Sequence, residues 1–461
     1  MYGMKTFFIT VQLGSEIKNW FYGDFYRLAK ENSDIRLVVF THPITIEAYR
    51  KDFGHERCIF EVFPDLKLSN RPLRQFFRIV SQASIPTDVV SFRIWYWYKT
   101  GGSFLYFIVK QGVWLLSHLW IWRAFLRFVE YNFFRDERAW ESSFQKYKPD
   151  AVFATTTYRD YDTTLLKYAR RHGIPSVGML RGWDNMSSKA FLLVHPDILC
   201  VQNNVMVDEA KNWNDLPPNR VKVVGFPYFD HYVDSAWRMT REEIGEAIGA
   251  DPSKKWIGFF VGGIFVGFLR AGDGSYHAGL LDDAAARGEF GDALILASIH
   301  PGFRGEWGFS TDGTKVQQIR LTTQWNFSQN SMKVIMNLMR ECEVAVDFGS
   351  SLSLETAIFD RPTVFVGFNG PDDSTVPWYK KISVAYDRYT HLRYIFDAGG
   401  GWIAKDPGEL ISAIKTYLIE QSLHREGRAQ IVKNLVGPLD GKAGARVFQV
   451  LCTLGDKPIH D

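Results

Sequence analysis

Two nucleotide-binding fingerprints are missing from this chain. Neither a GxGxxG turn nor a GxxxxGK[ST] loop occurs in it, which argues against a dinucleotide dehydrogenase and against an ATPase. Cysteine is sparse. Cys58, Cys200, Cys342 and Cys452 are scattered, with no CxxC and no histidine at metal-ligand spacing. Such cysteines suit free thiols in a reducing cytosol. Net charge is small, +3, so bulk electrostatics gives no case for a nucleic-acid partner. The opening MYGMKTFFITVQLG has only a short apolar run, rich in strand formers, and reads as a first strand rather than a signal peptide. Short-period repeats and low-complexity tails are absent.

One further absence is local. From Val89 to Val129 there is no Asp or Glu, while Arg93, Lys99, Lys110, Arg123 and Arg127 stand among many aromatic residues. A spanning helix needs roughly 20 mainly apolar residues. Thr100 to Trp122 nearly qualifies, but Gly101, Gly102, Lys110, Gln111, Gly112 and His118 interrupt it. Residues 89–134 are therefore expected to form one or two helices lying on an anionic membrane surface, basic groups toward the headgroups and Trp/Tyr at the interface. The competing expectation is a buried helical insertion.

What is present is alternation. With 461 residues the chain has room for two or three domains. Thr6–Val11 and Ile35–Phe40 read as strands with a helix between them, the opening of a parallel α/β domain. After the aromatic stretch the alternation resumes, with strands at Ala151–Ala154, Pro175–Met179, Ile198–Val201 and Val221–Gly225. A polar, helical stretch over 234–255 reads as a connection. Strands at Trp256–Val261, Leu294–Ile299, Val344–Val346 and Thr363–Phe368 then make a second run. The predicted fold is α/β: two Rossmann-like domains facing a cleft, 1–235 on the acceptor side and 236–461 on the nucleotide-sugar side. The helical insertion belongs to the first domain, and the last helix is expected to pack back on it.

The most informative stretch is VAVDFGSSLSLETAIFDRPTVFVGF, Val344 to Phe368. It reads as strand, tight loop, helix, turn, strand. Gly349 allows close backbone approach to a ligand. Ser350 suits a helix N-cap, and Leu354, Ala357 and Ile358 give the helix an apolar face. Pro362 stops it. Ser350 and Ser351 with the helix-end amides offer a seat for a phosphate. Glu355, one turn on, can accept from a sugar diol. Read plainly, the same residues make a capped helix with a solvated glutamate. Gly263 and His300 also fall at strand ends of this half, where ligands gather in open α/β sheets.

The order of these features resembles a family. A Gly-Gly loop, a strand ending in His300-Pro301, Gly349-Ser350-Ser351-x-x-x-Glu355, and Asp440-Gly441-Lys442-Ala443 before a last helix look like the nucleotide-binding half of GT-B glycosyltransferases. They are most similar to bacterial surface-polysaccharide transferases, CDP-glycerol glycerophosphotransferases and UDP-N-acetylglucosamine 2-epimerases. Val223-Val224-Gly225-Phe226-Pro227-x-x-Asp230 matches what those proteins carry at the end of the first half. The resemblance covers most of 150–455. It implies a metal-independent transferase with no cofactor, taking a nucleotide-sugar donor and a surface-glycan or lipid-linked acceptor at the cytoplasmic face of the membrane. Ser350 and Ser351 would hold the donor phosphates, Glu355 the ribose, and His300 a phosphate or the leaving group, with Gly263 and Gly349 also in the donor nucleotide site. Gly14-Ser15-Glu16 departs from the Arg-Pro-Glu of the epimerases, which ranks epimerisation below transfer. Glycerophosphate transfer and a non-catalytic assembly role on the same fold are the alternatives. The catalytic base that displacement needs should come from the first half, where Asp184 in Gly182-Trp183-Asp184-Asn185 and Glu16 are the candidates, with Trp183 as a sugar platform.

Overall fold

The computed structural model describes residues 4–67, 72–261, 273–299, 314–319 and 328–456. It divides into two compact units, Met1–Val233 with Gly437–Asp461, and Asp234–Val436.

The first unit is built on β1 (Lys5–Thr10), β2 (Ile35–Thr41), β3 (Cys58–Val62), β4 (Ala151–Ala154), β5 (Ser176–Met179), β6 (Ile198–Val201) and β7 (Val221–Val223). All its ladders are parallel, in the order β3-β2-β1-β4-β5-β6-β7. A parallel sheet is covered on both faces, so its central strands are apolar throughout. In β1, Phe7 and Ile9 enter one core while Phe8 enters the other. The helix Ala443–Gly455 completes the first of these cores. Its Val447 and Leu451 join Phe7 and Phe153, and Phe448 meets Phe25 edge-on at 5.9 Å. Gly444 permits the approach, since a Cβ there would lie 3.0 Å from the Phe25 amide nitrogen.

The second unit holds β8 (Trp256–Val261), β9 (Leu294–Ile299), β10 (Val316–Ile319), β11 (Val344–Asp347), β12 (Thr363–Val366) and β13 (Gly401–Ala404). These too are parallel, in the order β10-β9-β8-β11-β12-β13. Each sheet thus starts in its middle, runs to one edge, and returns to build the other half. The order reverses between β1 and β4 in one unit and between β8 and β11 in the other. In open α/β sheets such a switch point, at the carboxyl ends of the strands, is where ligands are bound.

Between β3 and β4 the described residues of the first unit include the helices Pro72–Gln82, Asp88–Lys99, Phe104–Leu116, Trp120–Phe133 and Glu141–Tyr147, with a short helical turn at Asp136–Trp140. The stretch 89–134 was expected to make one or two helices, but it takes part in three of these. Gly101 at φ +106 and the Ser117–Leu119 turn break it. Buried charge fastens the insertion to the sheet. Arg74 bonds Glu130 and lies 3.0 Å from Asp136, and Lys167 lies 3.1 Å from Glu130 and 3.3 Å from Glu137. Two cations expected to face headgroups are used in the same way. Arg123 is buried and bonds Asp215 at 2.5 Å, and Arg127 bonds the same carboxylate at 2.7 Å. That part of the membrane expectation is corrected: these two arginines anchor the insertion to the loop before β7.

The outer face of the insertion is nonetheless apolar. Phe104, Leu105, Leu115, Leu119, Trp120 and Ile121 are each more than half exposed. Among the described residues no single helix is long and apolar enough to cross a membrane. Phe104–Leu116 and Trp120–Phe133 pass that test only together, with a bend of 110° between them.

Candidate functional site

At the switch point of the second unit, β11 ends in Asp347, whose buried carboxylate organises the turn after it. It accepts from the Ser350 amide at 2.9 Å and from the Ser353 hydroxyl at 2.9 Å, and the Ser350 hydroxyl bonds it as well. Burial lifts this carboxyl above its usual range, and those donors pull it back. Gly349 turns the chain at φ +76. It is needed for that conformation and for space, because a Cβ would meet Tyr386 at 3.2 Å. The helix Leu352–Ile358 follows, its Leu352 amide donating to Ser350 Oγ at 3.2 Å.

The predicted donor residues are therefore unequal. Ser350 is buried and committed to Asp347. Ser351 is exposed, and among the described residues the amides of Gly349 and Ser351 have no acceptor. Glu355 is one turn on and 8 % exposed, so it is not the solvated glutamate of the plainer reading. In the sequence Asp347 simply falls at the junction of the strand and the tight loop. The signal for its larger role is an Asp three positions before a Ser, the spacing at which a side chain caps its own turn. His300 and Gly263 lie outside the described residues.

At the switch point of the first unit, three loops meet. Glu16, just after β1, is wholly buried. Its carboxylate accepts from the Gln12 amide at 2.6 Å, the Leu13 amide at 3.3 Å and the Thr156 hydroxyl at 2.5 Å. Asp162, also buried, accepts from Thr10 Oγ1 at 2.5 Å and Gln12 Nε2 at 2.7 Å. Loss of hydration, and then the nearby Glu16, push its carboxyl up to about 7. Burial raises Glu16 too, against the pull of Thr156, the Gln12 amide and Arg181. Thr157 sits at φ +67 beside this pair, its hydroxyl donating to Met179 O at 2.6 Å. For a β-branched residue that conformation is strained, and strain of this kind gathers at functional loops. Asp162 went unremarked in the sequence, where it looks like any first-turn helix carboxylate.

With zero exposure and three donors on it, Glu16 holds the β1 loop in shape. Asp184 is partly exposed, 24 % by side chain, and lies 3.3 Å from Lys189 Nζ with Asn185 Nδ2 at 2.7 Å. Trp183, expected as an open platform, is buried at 4 % exposure and offers no ring face. Lys189 lines a cavity of about 770 Å³ between the insertion helices and the loops after β1, β2, β4 and β5. Asp184 does not line it, but pairs with Lys189, which does.

No family profile matches this chain, and no curated protein does. Solved structures do match in fold. UDP-GlcNAc 2-epimerase from Neisseria meningitidis bound to UDP-GlcNAc aligns over 98 % of this chain and 100 % of its own, at 12 % identity and a TM-score of 0.54. The Methanocaldococcus jannaschii UDP-GlcNAc 2-epimerase aligns over 97 % and 99 %, at 12 % identity and 0.53. The S. aureus protein MnaA with UDP aligns over 99 % of both chains, at 10 % identity and 0.53. At such identities the likeness establishes the fold alone: two Rossmann-like domains of the GT-B type.

Proposed function

We propose that this protein transfers a sugar from a nucleotide-sugar donor to a glycan or lipid-linked acceptor. The observation that carries this reading is the double sheet, each half ordered about a central switch point whose loops hold polar groups. Proteins of the same fold hold UDP or UDP-GlcNAc. In the second unit the amides of Gly349 and Ser351 and the Ser351 hydroxyl would take the diphosphate, as short donors at a helix start do. Ser350 shapes that turn through Asp347. Glu355 would accept from a ribose hydroxyl, and Gly263 and His300 keep the donor-site roles that the family resemblance implies. Helix-end donors neutralise the leaving group in this reading, and no metal is called for.

In the first unit Asp184 is the base of choice. It pairs with Lys189, a residue of the cavity wall, whereas Glu16 and Asp162 are sealed. The cavity itself favours transfer over epimerisation. An epimerase needs one substrate, and a cavity of about 770 Å³ on the first unit, in addition to the donor turn of the second, suits a second one. Its cationic lining also fits a growing polyol-phosphate chain, so glycerophosphate transfer is the second reading. In either case the protein would work from a membrane surface.

Incubation with a panel of nucleotide sugars and CDP-glycerol tests this, with the released nucleotide identified by chromatography. Release of a nucleoside diphosphate from one nucleotide sugar supports sugar transfer, and CMP from CDP-glycerol supports the second reading. Tight nucleotide binding without turnover, across all acceptors, leaves only an assembly role.

A further inference from the structure

The cavity of the first unit is unlike the rest of the surface in charge. Arg74, Arg78, Arg93, Lys110, Arg159 and Lys189 line it, against a single acid, Asp160. Arg74, Arg78 and Lys189 are spent on Glu130, Asp160 and Asp184. Among the described residues Arg93, Lys110 and Arg159 make no ion pair. Arg93 donates to the Ser188 carbonyl at 2.8 Å, and Lys110 rests over the Trp97 ring at 4.0 Å. Three cations that line one cavity without an ion-pair partner are a repulsive arrangement unless an anion joins them.

This charged recess adjoins the exposed apolar face. Trp97 and Lys110 line the cavity, and Trp97 contacts Tyr106, with ring centroids 6.3 Å apart. Tyr106 is on the same helix as the exposed Phe104, Leu105 and Ile108. A lone soluble anion would have no use for that face. A phosphate-headed lipid would use both parts, the head in the recess and the surrounding bilayer against the bent helix pair.

Resting on the transfer reading above, we propose that the cavity seats the phosphate or diphosphate head of a lipid-borne acceptor, delivered by a bilayer in which the outer face of residues 104–133 lies. Lys110 is a half-buried cation crowded by a second one. Burial and then Arg93 lower its pKa, and a bound phosphate reverses the second effect.

Vesicle sedimentation of the full chain tests the proposal. Three compositions are compared: phosphatidylcholine alone, phosphatidylcholine with phosphatidylglycerol, and phosphatidylcholine with phosphatidic acid at matched surface potential. The expected result is about tenfold tighter binding to the phosphomonoester vesicles than to the phosphodiester ones. The double variant Lys110→Gln/Arg159→Gln loses that preference while still sedimenting with phosphatidylglycerol vesicles. Leu105→Gln/Ile121→Gln loses sedimentation with every vesicle but still binds inorganic pyrophosphate in solution. Equal binding to the two anionic lipids, unchanged in Lys110→Gln/Arg159→Gln, overturns the proposal. So does a wild type that binds pyrophosphate but no vesicle, which would make the recess a site for soluble anions or polyol phosphates. Donor titration on the same variants separates the two levels. Lys110→Gln/Arg159→Gln should bind nucleotide sugar as the wild type does. A protein with lipid preference but no nucleotide-sugar binding would overturn the transfer reading and leave the lipid site standing.

Discussion

Asp230 caps Gly444. The carboxylate takes the Gly444 amide at 2.8 Å and the Ala443 amide at 2.9 Å, from 214 and 213 positions earlier in the chain. The first turn of the last helix thus receives its acceptor from the end of the first unit's strand run, rather than from its own preceding residue Lys442. Two short sequence motifs, Phe226-Pro227-x-x-Asp230 and Asp440-Gly441-Lys442-Ala443, are halves of one joint. Asp230→Ala should cost about 2 kcal/mol, in the range for losing a helix cap or a hydrogen bond to a charge. Urea unfolding followed by tryptophan fluorescence measures it. A loss under about 0.5 kcal/mol would show that the helix is held by its apolar face alone.

A larger loss is expected where charge is buried. Glu130 has zero exposure and serves both Arg74 and Lys167. Glu130→Ala leaves two cations inside without it, and breaking a buried pair from one side costs about 3–5 kcal/mol. Limited proteolysis between residues 72 and 133, together with the thermal midpoint, should report a loosened insertion.

The Glu16–Asp162 pair predicts a pH dependence of stability. An unfolded aspartate titrates near 3.9, while Asp162 in the fold is raised to about 7. Between about pH 4 and 7 the folded chain keeps a proton that the unfolded chain has lost. The stability from this site is whole below that window and falls by about 1.4 kcal/mol per pH unit through it. Asp162→Asn cannot titrate. The stability of the wild type relative to this variant should therefore decline from pH 5 to 7 and level off above. A difference constant from pH 5 to 8 would sink the assignment.

Asp184→Asn should lower turnover by about 100-fold or more, with donor affinity unchanged, the scale for loss of a general base. Glu16→Gln should act differently. It perturbs a buried carboxylate that holds the β1 loop, so it should cost about 1–3 kcal/mol in stability, and activity should fall only in step with unfolding. Steady-state kinetics beside thermal shift separates the two. If Asp184→Asn keeps a near-normal rate, the base lies elsewhere.

On the donor side, Ser351→Ala should weaken nucleoside-diphosphate binding more than nucleoside binding. Glu355→Gln should weaken both by about 1.5–3 kcal/mol, the scale for hydrogen bonds to a charged group. Calorimetric titration of the nucleotide into each variant decides this. Unchanged affinity in both would reduce the turn to a packed helix start.

The central strands of both sheets were legible in the sequence, because strands buried on both faces are apolar without interruption. Ala151–Ala154, Ile198–Val201, Trp256–Val261 and Leu294–Ile299 match residue for residue. The strands that escaped notice are β3, β10 and β13, all at sheet edges. There one ladder suffices and the sequence is mixed, as in Val-Gln-Gln-Ile of β10. The donor turn was legible because its residues are contiguous. The Glu16–Asp162 pair was not, since Gln12 and Asp162 stand 150 positions apart and only the β1–β4 pairing joins their loops. Arg123 and Arg127 misled for a related reason. Their partner Asp215 lies far outside the acid-free stretch that made them look like headgroup binders.

The first unit is closed by residues from both ends of the chain, and that sets a schedule for biosynthesis. When Val233 leaves the ribosome, the seat formed by Phe7, Phe25 and Phe153 still lacks Val447, Phe448 and Leu451. Residues 234–436 must be translated first, roughly 10 to 40 s at ordinary elongation rates. During that interval an apolar trough stays open on a nascent domain, where a chaperone or a second nascent chain can find it. Shortening the wait, by moving the last helix ahead of β1 in a circular permutant, should raise the yield of folded protein from translation without altering the finished structure.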